Sequence, residues 1–337
     1  MAFPDRPERQ AVPRGRARTR AGAVPPRGVP LRLRGRVLAP DRPAVMAVVN
    51  RTPDSFHVHH DDEDAARAAV ARAVDDGADL VDIGGVRAGR GPEVDVQTEL
   101  DRVLPLVRWV RATYRDLPIS VDTWRSEVAH VVLAEGVDLI NDTWAGHDPR
   151  LVEVAGAAGA GVVCSHTGGL PPRTDPLRPA YPLGTEPGSG SLGPVGPVRA
   201  AQDARDGVVQ DVLATLRVSA ARAVAAGVAP DSVLVDPTHD FGKNTWHSLH
   251  LTRRTAELTE LGYPVLMALS RKDFVGEALG LPVEERLEGT LAATAVAAWL
   301  GATVFRTHDV LATRRVVEMV AVLRDDRSPV RTVRGLA

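Results

Sequence analysis

The sequence predicts an α/β protein, a single (β/α)8 barrel of the TIM type, and three observations carry that prediction. From residue 45 onward, short β-branched runs alternate with longer amphipathic stretches. The alternation occurs eight times, which favours a closed barrel over an open doubly wound sheet. Each apolar run ends in a polar or charged residue, as expected where loops converge on one mouth. With 337 residues, 44% of them hydrophobic and 25% charged, the chain is long enough to bury a large core. That composition excludes disordered, collagenous and membrane-embedded classes.

In chain order the strands read as Val45–Val49, Leu80–Ile83, Ile119–Val121, Leu139–Ile140 with its flanks, Gly161–Ser165, Val233–Val235, Val265–Leu269 and Thr303–Arg306. Helical length and apolar spacing place helices at Glu63–Asp76, Val96–Tyr114, Arg125–Glu135, Asp206–Ala226, Thr245–Leu261 and Leu287–Leu300. Residues 167–201, dense in Pro, Gly and Ser, read as a loop inserted after the fifth strand. Within it, Gly188-Ser-Gly190-Ser-Leu-Gly193 matches a dinucleotide fingerprint, but no strand precedes it and no helix follows closely, so it reads as loop.

Residues 1–36 hold ten arginines against Asp5 and Glu8, a local balance of +8 in a chain of net charge −2. Rich in Arg, Pro and Gly, this extension is expected to be a mobile tail, with the barrel at 37–325 and a C-terminal tail at 326–337. Of 41 basic residues only Lys243 and Lys272 are lysines, so these two stand out. The single cysteine, Cys164, excludes an intramolecular disulfide and agrees with a reducing compartment. No apolar run reaches the roughly 18 residues of a membrane span, and the N-terminus lacks the core of a signal peptide, so the expected location is cytoplasmic.

The residues that end the strands are Asn50; Asp82 with Gly84-Gly85; Asp122; Asn141 and Asp142; His166; Asp236; Ser270-Arg271-Lys272; and Arg306 with His308. Any one passes as a cap or turn residue. All eight together, with Lys and Arg among them, mark a functional rim. Asp122, Asp236 and Asn141 suit a flat heterocycle with adjacent N–H donors, because a buried carboxylate accepts two parallel hydrogen bonds. Lys272 supplies a compact donor, and Arg306 can stack its planar guanidinium on a ring or join His308 and Asn50 in holding an anion. The expected ligand is polar, planar and nitrogen-rich.

The runs Asn50-Arg-Thr-Pro-Asp-Ser-Phe56, Asp82-Ile-Gly-Gly85, Ser120-Val-Asp-Thr123, Ile140-Asn-Asp142, Asp236-Pro with Phe241-Gly-Lys243, Ser270-Arg-Lys272, Glu285-Arg-Leu-Glu-Gly-Thr290 and Arg306-Thr-His-Asp309 span about residues 45 to 323. In type and order they resemble the motif set of dihydropteroate synthase. The resemblance implies a cytoplasmic, homodimeric transferase of folate biosynthesis. Such an enzyme condenses 7,8-dihydropterin-6-ylmethyl diphosphate with 4-aminobenzoate, uses Mg²⁺ and needs no nucleic-acid or membrane partner. By position it implies that Asp122, Asn141, Asp236, Lys272 and Arg306 hold the pterin. Asn50, Arg306 and His308 would hold the diphosphate, with Asn50 toward the metal. Thr52, Pro53, Phe241 and Asp273 would border the second-substrate pocket, and Lys272, Arg306 and Asp122 would be the catalytic set.

Departures from that pattern cluster in the loops. After Phe56 stand His57, Val58, His59 and His60 where the family has Ser-Asp-Gly-Gly. Val86-Arg87-Ala88-Gly89-Arg90-Gly91 replaces Glu-Ser-Thr-Arg-Pro-Gly, with Arg87 and Arg90 as displaced cations. The Ser that follows Ser-Arg-Lys becomes Asp273, and Thr238-His239-Asp240 replaces Gly-Ile-Gly. A carboxylate at 273 facing the site would repel an aminobenzoate. The set Asn50-Arg-Thr-Pro-Asp-Ser-Phe56, Ser165-His-Thr-Gly-Gly169, His239-Asp-Phe-Gly-Lys-Asn244 and Arg331-Thr-Val-Arg-Gly-Leu-Ala337 is similar to a divergent actinobacterial branch of the family. Two readings follow: a dihydropteroate synthase with atypical loops, or a pterin-binding paralogue that lost or changed the condensation, acting on another acceptor or as a binding protein. A methyltetrahydrofolate-using methyltransferase keeps similar carboxylates but not the Ser-Arg-Lys and Arg-Thr-His-Asp signatures. The histidines at 57, 59 and 60 beside Asp61 and Asp62 imply no fixed metal geometry. Cys164 reads as a small core residue.

Overall fold

The computed structural model describes residues 24–51, 63–174, 181 and 197–334, with the backbone alone at 197–205. The elements are β1 (Arg32–Leu33), β2 (Arg36–Val37), β3 (Ala44–Asn50), α1 (Glu63–Asp75), β4 (Leu80–Gly84), α2 (Val96–Thr113), β5 (Ile119–Asp122), α3 (Ser126–Ala134), β6 (Leu139–Asp142), α4 (Leu151–Ala157), β7 (Gly161–Ser165), α5 (Pro197–Ala225), β8 (Val233–Asp236), α6 (Thr245–Arg253), α7 (Thr255–Thr259), β9 (Leu266–Met267), α8 (Asp273–Leu279), α9 (Leu287–Trp299), β10 (Val304–Thr307) and α10 (Val310–Leu323). Strands β3 to β10 form one parallel sheet in the order β8-β7-β6-β5-β4-β3-β10-β9. A parallel bridge between Val235 and Val265 joins its two ends and closes the barrel. All eight expected strands are present, the seventh shortened to two residues.

Alternation along the strands decides what each side chain meets. Ala44, Met46, Leu80, Leu139, Val163, Leu234, Leu266 and Val304 point inward and fill the N-terminal half of the barrel. Their neighbours Val45, Val81, Ile140, Val162, Val233 and Phe305 point outward and pack under the helices. The same parity, carried two residues further, puts Asp82, Asn141, Asp236 and Arg306 inside the upper half. The barrel is therefore dry at one end and polar at the other.

Three expectations are corrected by the structure. The expected tail, 1–36, ends earlier, because residues 32–37 form an antiparallel pair turning on Arg34 and Gly35, both at positive φ. Spacing by two puts Leu31 and Leu33 on one face, and both are buried against the inward layer of the barrel, closing its bottom. The arginines of this stretch are held: Arg32 pairs with Asp231 at 2.8 Å, and Arg27 donates to the Pro40 and Arg42 carbonyls. Residues 1–23 lie outside the described residues, as do the fingerprint-like glycines at 188–193. The helix after the insertion begins at Pro197 rather than at 206, with a proline suited to a first turn. The stretch expected as one helix to residue 261 breaks at Arg254, which leaves helical geometry and forks onto Asp206 and Glu257. Three short or closing helices, α4, α8 and α10, were not anticipated.

If the hairpin is the floor of the barrel, Leu31→Ala should remove packing from a fully covered position. The expected loss is about 2–5 kcal/mol of unfolding free energy, read by urea denaturation. A loss under about 0.5 kcal/mol would show that the hairpin merely lies on the surface.

Candidate active site

At the centre of the polar half lies an ion cluster. Asp82 is completely buried on β4, its Oδ1 accepting from Ser120 Oγ at 2.6 Å. Its Oδ2 accepts from Asn141 Nδ2 at 3.0 Å and from Arg306 Nε at 2.6 Å. Arg306 Nη2 reaches Asp122 Oδ2 at 3.1 Å, and Thr143 Oγ1 donates to the other oxygen of Asp122 at 2.9 Å. Burial pushes the Asp122 carboxyl up to about 7, against the pull of Arg306. For Arg306 burial favours the neutral form, but Asp82 and Asp122 outweigh it and hold the guanidinium above its ordinary value. Sequence reading placed Asp82 on the rim without a role. The signal was present, since a lone Asp in the apolar strand Leu80–Gly84 falls on the inward parity.

The loop after β8 supplies the opposite wall. Asp236 Oδ1 accepts from Thr238 N at 2.7 Å, and burial raises its pKa against Lys272. Thr238 (φ 50°) and Asp240 (φ 70°) are left-handed. These are the two positions where the sequence resemblance expects glycine, so the backbone conformation persists at a cost of roughly 1–2 kcal/mol per residue. Lys272 Nζ donates to the His239 carbonyl and lies 5.2 Å from the centre of the Phe241 ring. Burial lowers its pKa, with Asp240 and Asp236 opposing. Beside it, Arg271 forks onto Asp309 with both bonds at 2.9 Å, and Ser270 Oγ meets His308 Nδ1 at 3.1 Å.

These groups surround one cavity of about 240 Å³, lined by Asn50, Asp122, Asn141, Asp236, Phe241, Lys272, Arg306 and His308. It shares a wall with a larger, more apolar space of about 590 Å³ bordered by Leu170, Pro282, Val283, Glu284 and Asp273. Asp273 stands at the mouth, its side chain 78% exposed, and accepts from Arg286 Nη1 at 2.8 Å. Its charge is therefore countered rather than aimed bare into the pocket. Arg87 lines the smaller cavity, while Arg90 is exposed and borders neither. Thr52 and Pro53 lie outside the described residues, as does the 57–62 cluster.

Two strand ends do not join the rim. Asp142 has the outward parity and accepts from the Trp144 and Gly146 amides, with burial pushing it up to about 6. His166 also turns outward, its Nε2 2.7 Å from Asp211 on α5, and burial lowers its pKa. Cys164 shares that face; burial pushes its thiol up to about 12, so it is packing, not a nucleophile. Among the described residues no group of three or more His, Cys, Asp or Glu is placed to hold a metal. Nor is any described helix long and apolar enough to cross a membrane.

Residues 46–308 match the family described as "Pterin binding enzyme". The chain belongs to that family. Within this pterin-binding family it is 56% identical over 305 residues to "Inactive dihydropteroate synthase 2" of Mycobacterium leprae, a match covering 90% of this chain and 98% of the relative. It is 36% identical to "Dihydropteroate synthase" of Neisseria meningitidis, covering 81% of this chain and 90% of the relative. Among solved structures, the Coxiella burnetii dihydropteroate synthase in complex with pteroic acid superposes with a TM-score of 0.73 at 31% identity, covering 88% of this chain and 99% of that one. The chain is thus a divergent paralogue within the pterin-binding family, and its barrel is the family fold.

Arg306→Met would strand the buried Asp82 carboxylate without its counter-charge. Loss of about 3–5 kcal/mol is expected, measured by denaturant titration, with partial recovery when Asp82→Asn is added. Additive losses in the double variant would show that the two side chains do not depend on each other.

Proposed function

We propose that this chain is a pterin-binding paralogue of dihydropteroate synthase that holds the dihydropterin diphosphate but has lost the condensation with 4-aminobenzoate. The observation that carries the reading is the unequal state of the two halves. Around Arg306 every group suited to a pterin converges on one cavity: Asp122, Asn141, Asp236 and Lys272. At the acceptor side, Arg286 is engaged by Asp273, a carboxylate where the family pattern has serine. A benzoate carboxylate arriving there meets a cation whose charge is already answered. The name of the 56% identical relative supports the same reading.

In this reading the carboxylates of Asp122 and Asp236 accept the pterin N–H donors, Lys272 donates to the ring, and Arg306 covers its face. Asn50 and His308 flank the diphosphate. An amide oxygen fits Mg²⁺, which takes oxygen ligands and reaches such sites largely through phosphates and water. Asn50 would contribute that oxygen, and the ion would neutralise diphosphate charge when bound. Exposed Val296, Trp299, Leu311, Met319 and Leu323 on α9 and α10 support a homodimer. A cytoplasmic location belongs to the same reading.

The test is to incubate the purified protein with the pterin diphosphate, Mg²⁺ and 4-aminobenzoate, following diphosphate and dihydropteroate separately beside calorimetric pterin binding. Pterin binding without dihydropteroate is expected; product at an enzyme-like rate would restore the active-synthase reading. Asp273→Ser should free Arg286 and tighten 4-aminobenzoate about tenfold, the worth of one charge-assisted bond. An unchanged dissociation constant would place that carboxylate outside the acceptor's reach. Pterin N–H groups favour the ionised Asp122, so binding at pH 6 should release a proton, and affinity should fall as pH drops below about 7. Calorimetry in buffers of different ionisation enthalpy reads the proton directly.

A further inference from the structure

In a chain that uses arginine for nearly every cation, a lysine persists where arginine cannot serve. Lys243 is one of two. It is 5% exposed, and its Nζ donates to the carbonyls of His166 at 2.7 Å, Phe241 at 2.9 Å and Thr238 at 3.2 Å. An ammonium has three donors in a tetrahedral array that matches three converging oxygens, and a planar guanidinium does not. Two of those carbonyls belong to the loop after β8 and one to the end of β7. That loop holds Thr238 and Asp240 left-handed without glycine, and Gly242 lies so close to the next loop that a Cβ there would come 2.3 Å from the Thr167 carbonyl. Such a conformation persists only when its surroundings over-determine it. What the loop presents is the Phe241 ring and the His239 carbonyl, both engaged by Lys272.

We propose that Lys243 is a positioning residue for the pterin half of the site, its ammonium tying the β8–α6 loop to β7 so that Phe241 and the His239 carbonyl meet Lys272. The functional readout rests on the pterin reading above; the structural one does not. Lys243 faces Asp236 and Asp240 of its own loop region, Asp211 of α5 and, as a like charge, Lys272. The imidazoles near it are held below their ordinary value by burial first, then by Lys243 at His166 and His247, and by Lys272 ahead of Lys243 at His239. Burial draws the ammonium itself down to about 7, where it loses a proton and with it one of the three ties.

The test compares the unaltered full chain with Lys243→Gln and Lys243→Arg. It measures amide hydrogen exchange across residues 238–244 and calorimetric affinity for 7,8-dihydropterin-6-ylmethyl diphosphate. Both variants should exchange at least tenfold faster in that loop and bind at least tenfold more weakly, with arginine failing to rescue. Exchange in Lys243→Gln equal to that of the unaltered chain overturns the proposal, as does full rescue by arginine. No pterin binding by the unaltered chain, together with faster exchange in the variants, leaves the tie standing and removes the pterin reading instead. If neither variant folds, the unaltered chain decides. With ¹³C-labelled lysine and phenylalanine, the Phe241 ring signals should shift with the same midpoint as the Lys243 ε-carbon, and ring signals that ignore that midpoint overturn the proposal.

Discussion

A guanidinium drawn into a barrel beside a fully buried carboxylate has to be answered there, and the answer given to Arg306, whose side chain is 20% exposed, organises most of the upper half of this molecule. Taking its charge and that of Asp82 out of water costs several kcal/mol per ion before any attraction is counted. The cost is offset only by direct contact and by filling the remaining lone pairs. Asp82 therefore accepts from Ser120 and Asn141 as well as from Arg306, and Arg306 extends its fork to Asp122. Side chains thereby bind β10 to β4, β5 and β6, although β3 separates it from them in the sheet. The same requirement leaves Asp122 only half answered, with a carboxyl poised near neutrality and open to a ligand that brings its own donors.

Below that cluster the barrel is closed to water. The inward aliphatic layer meets Leu31 and Leu33 of the N-terminal hairpin, and the floor they make lets the charges above sit in a medium of low polarity. Above it, the walls differ in kind. The wall around Asp236 and Lys272 is held by groups with several partners each, including a left-handed loop that keeps its shape with threonine and aspartate where glycine is the easier choice. The facing wall, at the start of short α8 and the segment after it, is more open, and there the exposed Asp273 pairs with Arg286 at the mouth.

The two walls therefore differ in how freely their residues can be exchanged. Residues tied into the cluster around Asp82 cannot be replaced singly without leaving a charge unanswered. Exposed loop residues carry no such penalty, and surface ion pairs of the Asp273–Arg286 kind are worth little to stability. Asp273, its side chain 78% exposed, can be exchanged at small cost to the fold.

Local pattern was enough to read eight alternating units and the residues that end the strands, because both depend on the period of a strand or helix and on neighbours a few positions away. Asn50, Asp122, Asn141, Asp236, Lys272, Arg306 and His308 were legible for that reason, and the structure gathers them around one cavity. What the sequence did not contain locally is the direction each side chain takes once the sheet closes. Parity sends Asp142 and His166 outward and Asp82 inward, and the partners that give Asp82 its meaning are up to 224 positions away. Folding the arginine-rich stretch into a floor, engaging Asp273 with Arg286, and bringing three carbonyls onto Lys243 likewise depend on contacts between distant segments. Tertiary structure decided these because a buried charge or an apolar end must find a partner, and only closure of the barrel determines which partner is in reach.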